Sequence, residues 1–463
     1  MDTVRWRNTR NRNAALFVGI SLISGFGGTA LNVAAGVWIL DLSGSSSLAA
    51  LTGLCLFAPT LLGPVLGALV DRFPRRRLAV WVHLVTAGAV LSLLAVRTDD
   101  QVWLVYAVML GYGTSLVVVD AAESALLPAT LPRDALGAVN GLRTSAQEGM
   151  KLVGPLAGAG LFAWQGGYPV VGLTAGTLTL AAGLYLLLRI RLHLAAADED
   201  SDRHPSDDAA ERARDGETGA RDGGGADGPG SGSAAAARRV PAGLAFLWRH
   251  PELRGTVLLG SVSIAMSGLT TAAVYDVVTE DLHRPAAFVG VLLSGQGAGS
   301  LLGGLVVGRL LRSRSAVVVG ALGAVIFAVG TLARCVPWTP AAVTSSVLVG
   351  VGLPWTLVAA VTAIQSRTPE ALLGRVSGSA NTLLFAPVAL ATPVGAALVL
   401  PDHRLPLVVA AVLCLGAGLL ALHPTRTPPH QPPTAPPPPT SAPPSPPRTD
   451  LDIRGVIAPG RRL

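Results

Sequence analysis

Charge is what this chain has least of. Asp, Glu, Lys and Arg make up 14% of its 463 residues, against roughly a quarter in ordinary soluble domains. Half of the residues are hydrophobic and the mean hydropathy is +0.53, which excludes an ordinary soluble protein. Lysine occurs once, at Lys151, while arginine is abundant, a pattern that reads as coding bias. No G-x-x-x-x-G-K-[ST] loop exists, so hydrolysis of ATP by this chain is excluded and no cofactor is expected. Cysteine is scarce as well. Cys55, Cys335 and Cys414 lie far apart, two of them well inside apolar runs, and are expected to be small core residues rather than a disulfide or a metal site. A net charge of +7 would suit a nucleic acid. The arginines, however, cluster at the ends of apolar runs, which is membrane topology and not a phosphate-binding face.

What the chain does have is long apolar runs. A membrane-spanning helix needs about 20 mostly apolar residues. Candidate spans are 14–40, 48–70, 78–96, 101–119, 144–163 and 168–188, then 255–275, 286–307, 316–333, 341–364, 378–400 and 405–422, two groups of six. The first run is too long for the apolar core of a cleavable signal, so it is expected to be a transmembrane helix behind a tail carrying Arg5, Arg7, Arg10 and Arg12. With that tail inside, the short inside loops hold fifteen Lys/Arg and the outside loops four. This bias predicts cytoplasmic termini in a multi-pass plasma-membrane protein. Trp38, Trp103, Trp164 and Trp338 fall at expected outer ends, where an aromatic belt would place them.

The expected organisation is a cytoplasmic tail over 1–13, a six-helix bundle over 14–190, a linker over 191–252, a second six-helix bundle over 253–423 and a cytoplasmic tail over 424–463. Residues 191–240 are acidic, Gly-rich and nearly free of large apolar side chains, the composition of a disordered linker. A short surface helix around Trp248 and Arg249 follows. The tail is proline-dense and expected to be extended.

The two groups of six repeat. An offset of 237 carries Gly67 to Gly304, Arg72 to Arg309 and Arg75 to Arg312, and separately carries Pro132 to Pro369, Gly137 to Gly374 and Gly141 to Gly378. The second copy is degenerate, with Gly308 where the first has Asp71. Gly67-Ala-Leu-Val-Asp71-Arg72-Phe-Pro-Arg75-Arg76-Arg77, set between two apolar runs, resembles the loop between helices 2 and 3 of major facilitator superfamily transporters, with Pro74 where the family usually has Gly. The stretch around Trp248–Arg254 resembles the entry to helix 7 in the branch containing the enterobactin exporter and macrolide efflux permeases. Gly149, Gly154, Pro155 and Gly158 resemble the fifth-helix G-x-x-x-x-G-P-x-x-G-G motif of the superfamily's exporters, with Ala159 as the last residue. The resemblance implies an all-α membrane protein of twelve helices in two bundles related by a parallel repeat.

It also implies a conformational latch. Asp71 and the arginines after it would hold helix 2 against the start of helix 11 near Arg375, with Gly67 allowing close approach and Asp120 and Glu123 as partners for Arg75 or Arg76. Ionisable groups expected within hydrocarbon are His83, Glu148 and Lys151, the candidates for proton coupling. Glu148 and Lys151 are spaced i, i+3 and therefore share a helical face. Asn32, Gln296, Asn381, Tyr112 and Trp355 are candidates to line a central cavity.

The function these readings favour is a secondary active transporter, not an enzyme. The expectation is a monomer, an antiporter using protons to drive efflux of drug-like or natural-product molecules, as in multidrug resistance. Its partners would be a small-molecule substrate, protons and the lipid bilayer, with no nucleic acid. An importer of a small metabolite on the same fold is the nearest alternative. A membrane-embedded transferase would need acids or histidines clustered at one membrane face, which the short outside loops do not offer, and a non-transporting scaffold would rest on the linker and tail alone.

Overall fold

The computed structural model describes residues 2–70, 72–131, 133–188 and 244–422. The expected linker over 191–240, the tail from 424, Asp71 and the side chain of Arg375 lie outside the described residues. Within them every element is helical, as hydrocarbon demands: it offers the backbone no partners, so each peptide group must be satisfied inside its own segment. The first half comprises α1 (Asp2–Ser43), α2 (Ser46–Phe57), a 3-10 turn (Ala58–Leu62), α3 (Gly63–Val70), α4 (Arg75–Leu91), α5 (Val102–Thr130), α6 (Arg133–Gln165) and α7 (Tyr168–Leu187). The second half comprises α8 (Pro251–Leu269), α9 (Thr271–Asp276), α10 (Val289–Ser313), α11 (Ala316–Ala333), α12 (Thr339–Arg367), α13 (Glu370–Leu398) and α14 (Leu405–Leu422).

Nine helices among the described residues are long and apolar enough to cross a membrane, and α8 with α9 and the turn after it forms a tenth span bent by 47°. The other two segments of the twelve are the 46–70 stretch, interrupted by the 3-10 turn at Pro59, and α6, whose apolar run is broken by Glu148 and Lys151. Several helices outrun the apolar stretches that predict them. α6 begins at Arg133 rather than 144, α5 continues to Thr130 rather than 119, and α13 begins at Glu370 rather than 378. Hydropathy marks where hydrocarbon begins, whereas the hydrogen-bond ladder continues into polar residues beyond it.

Local chemistry sets the breaks. Gly44 and Gly166 adopt φ of +63° and +74°. In each, the amide donates to a carbonyl four residues back, at Leu40 and Phe162 (both 2.8 Å), closing α1 and α6 in a left-handed turn that favours glycine. Ser45 and Ser315 begin α2 and α11 by accepting from the amides of Leu48 and Val318.

The repeat is visible in the packing. α1 packs on α6 as α8 packs on α13; α4 packs on α7 as α11 packs on α14; α2 packs on α5 as α10 packs on α12. The halves meet mainly through two crossed pairs, α6 with α10 and α2 with α13, with α9 also against α2. Leu305, Leu390 and Leu420 are at least 73% exposed, the outward apolar surface that lipid requires. One face of the molecule carries Arg72, Arg75, Arg76, Arg77, Arg309, Arg312 and Arg314; the opposite face carries exposed Trp103, Trp164 and Trp338. Trp38 departs from the expected belt. Its ring is buried edge-on against Tyr168 (5.8 Å between centroids) and Phe162 (6.4 Å), a core contact between α1, α6 and α7.

Candidate functional site: a central cavity between the halves

Small residues on facing helices decide where the halves touch. A Cβ on Gly297 of α10 would lie 2.5 Å from the carbonyl oxygen of Lys151 on α6, and one on Gly290 would lie 2.3 Å from Cβ of Ala159. Three positions of the fifth-helix motif have close neighbours. Gly154 and Gly158 admit α1, since a Cβ there would meet Thr29 Oγ1 at 1.8 Å and the Ala30 carbonyl at 2.3 Å. Ala159 fills the position opposite Gly290, so the small residue the motif expects on α6 is supplied from the other half. Gly149 has open space around it. Nearer the tryptophan-bearing face, Ser46 Oγ donates to the buried Asp276 carboxylate (2.9 Å) and Ser47 Oγ to the Ala396 carbonyl (2.6 Å), while the Tyr275 hydroxyl occupies the space left by Gly36.

Between these contacts and the arginine-rich face the halves separate around a cavity of about 590 Å³ lined from α1, α2, α5, α6, α8, α10 and α12. It shares Glu148, Lys151, Ser267, Ser300 and Pro354 with a lobe of about 710 Å³ that extends along Thr144, Gly304 and Leu305. A smaller lobe of about 170 Å³ shares Asn32, Ser267 and Gln296 and runs the other way, to Tyr275 and Arg334. Of the expected lining residues, Asn32, Tyr112 and Gln296 are there. Trp355 instead packs α12 on α10, its indole N–H donating to the Gly303 carbonyl (2.9 Å), and Asn381 is exposed on α13 away from this lining.

The pair on α6 is in the cavity wall. Glu148 Oε1 accepts from Lys151 Nζ at 2.6 Å, and Glu148 Oε2 accepts from Ser300 Oγ of α10 at 2.8 Å. A single carboxylate therefore holds both an ion pair within α6 and a hydrogen bond to the other half. Nothing in the apolar run around Ser300 announces this role, because the partner lies far away in sequence. His83 is elsewhere. It is 4% exposed inside the first half, with Nδ1 2.8 Å from the Ala79 carbonyl and its ring against Tyr185.

The acids of α5 find a different partner from the one expected. Glu123 is bound by Arg143 of α6 and by the Tyr185 hydroxyl, and Asp120 borders the same small hollow. Arg143 also donates from Nε to Ser21 of α1 (3.1 Å). Arg76 donates to the Leu188 carbonyl (2.9 Å) at the end of α7. Arg143 reaches Glu123 from α6 within the same half in a charge-assisted pair, while Arg76 is engaged at the end of α7. A Cβ on Gly67 would meet nothing within 4 Å. The close approach expected there is absent because the halves stand apart at the arginine-rich end.

Among the described residues no group of three or more His, Cys, Asp or Glu is placed to hold a metal. Macrolide efflux protein A of Streptococcus pyogenes is 27% identical over 132 residues, covering 28% of this chain and 33% of that protein. The fold of a D-xylose–proton symporter matches 89% of this chain and 97% of its own with a TM-score of 0.64 at 12% identity. A bacterial homologue of the iron transporter ferroportin, in an inward-facing state, matches 89% and 97% with a TM-score of 0.58 at 15% identity. The profile of the Major Facilitator Superfamily matches residues 17–274 and 256–458, one stretch for each half of the repeat, and the chain is a membrane transporter of that superfamily.

Proposed function

We propose that this transporter exports drug-like or natural-product molecules through the central cavity, as a monomer in the plasma membrane, in exchange for protons carried by Glu148. The arginine-rich face is the cytoplasmic one by the distribution of its charges, so the cavity described above is open to the cytoplasm and closed to the outside. The observation that carries the reading is the double engagement of Glu148 with Lys151 and, across the halves, with Ser300. A proton on that carboxylate removes the charge that holds Lys151 and weakens the acceptor that Ser300 uses, so protonation is tied to a contact between the moving parts. The partial likeness to a macrolide efflux protein supports export as the direction.

The test is Glu148→Gln in proteoliposomes, with ethidium as a cationic probe, erythromycin as a macrolide and 2-naphthoate as an organic acid. Flux driven by a pH gradient should fall by about tenfold or more, the scale on which a lost coupling group acts, while gradient-free exchange of the same probe persists. Retention of both would remove Glu148 from coupling. Gradient-driven uptake in the direction opposite to export would replace the proposal by import on the same fold.

A further inference from the structure

The loop after α11 carries a second charged group that this coupling scheme leaves unused. Arg334 is 4% exposed, although it stands in what the sequence presents as a short outside loop. It lines the small lobe at the closed end of the cavity, beside Asn32, Gln296 and Tyr275. Among the described residues its side chain makes one long hydrogen bond, from Nη2 to Ser346 Oγ at 3.4 Å, and its buried Nε finds no partner there. Among the described residues no carboxylate is in ion-pair reach of it. An arginine stays protonated even when buried, and a buried guanidinium without a counter-charge is strongly unfavourable. Such a group persists where something else supplies the anion.

We propose that Arg334 is an anion subsite, and that it takes the carboxylate of an amphipathic organic acid carried through the cavity. One guanidinium neutralises one negative charge, so a carboxylate matches it where a phosphate dianion would bring a second, uncompensated charge into the same lobe. The lobe holds about 170 Å³, room for an acid group and a few carbons but not a whole drug-like molecule. The rest of the molecule extends into the larger cavity, past Val33, Phe57 and Leu293. The Asn32 and Gln296 amides at the junction of the two supply neutral polar contacts to the acid's neighbouring atoms. This assignment rests on the cavity being the substrate path, and binding is measured in place of flux so that its failure is separate from a failure of export or proton coupling.

The full-length protein in lipid nanodiscs is melted in the presence of 2-naphthoate or its neutral isostere 2-naphthamide. The wild type should be stabilised by naphthoate at concentrations about tenfold or more below those needed of naphthamide, the discrimination one charge-assisted pair provides. Arg334→Gln should bring the two within about twofold, while ligand-free Arg334→Gln melts at or above the wild type, because an uncompensated charge has been removed. Arg404→Gln, which removes an arginine from the surface of the same membrane face, should keep the preference. If Arg334→Gln does not fold, Arg334→Lys serves: it keeps the charge without the fork and should retain a reduced preference for naphthoate. No preference in the wild type, or none of either probe binding, overturns the assignment. So does a preference that survives Arg334→Gln, above all with a lowered melting temperature, which would mark a purely structural arginine.

Discussion

Substituting Gly297 by alanine should open the closed end of the cavity without altering any polar side chain. The added Cβ would sit 2.5 Å from the Lys151 carbonyl oxygen, 2.6 Å from its carbon and 2.8 Å from the Leu152 nitrogen, all backbone atoms that cannot rotate away. Ordinary contact begins near 3.4 Å, so α6 and α10 must part locally by about 1 Å. Overpacking of this kind costs about 1–3 kcal/mol, and it falls on the conformation in which the two helices are this close. The population of that conformation should drop by about 5- to 150-fold relative to any alternative in which they are apart. The assay is disulfide crosslinking on the tryptophan-bearing face, with Ser47→Cys and Ala396→Cys in a background lacking Cys55, Cys335 and Cys414. Ser47 already hydrogen-bonds the Ala396 backbone at 2.6 Å, so these positions report closure directly. Gly304→Ala is the control: it lies two turns along the same helix and meets nothing within 4 Å. Crosslinking should fall in Gly297→Ala and hold in Gly304→Ala. Equal crosslinking in both, with folded protein, would refute the reasoning that backbone contact between α6 and α10 sets this state.

Two further outcomes follow from the charged residues. Glu123→Gln leaves Arg143 without its counter-charge at a largely buried site, and should lower stability by about 3–5 kcal/mol, read as a drop in melting temperature that Glu123→Gln combined with Arg143→Gln partly recovers. Asp71→Ala should leave membrane abundance normal and cut transport strongly, while Gly308→Asp in the degenerate copy changes transport less; unchanged flux in Asp71→Ala would reduce that loop to a topology signal.

The parts of the site that were legible beforehand are the ones governed by local spacing. Glu148 and Lys151 pair as their i, i+3 separation requires, and Asn32, Tyr112 and Gln296 line the cavity as polar or amphipathic groups in apolar runs. Trp355 and Asn381 have the same sequence character and lie elsewhere, because which flank of a helix faces the cavity depends on its rotation, and a uniformly apolar helix carries no stripe that fixes it. Glu123 pairs with Arg143 and not with Arg75 or Arg76 for a related reason. Several arginines are near in sequence to the arginine-rich face, and only the crossing of α5, α6 and α7 selects Arg143 and Tyr185.

By itself the sequence determined the membrane environment, the helical class and the duplicated halves. Hydrocarbon accepts long apolar helices and leaves the charges outside, and a repeat is written in the order of residues. The tertiary structure decided everything that depends on two helices meeting. It set the hydrogen bond from Ser300 to Glu148, the fit of Ala159 against Gly290, and the burial of Arg334 in a place that reads as a loop. Association of helices in lipid has little hydrophobic drive. It rests on close packing of small residues and on isolated hydrogen bonds, and these are contacts between positions far apart in the chain.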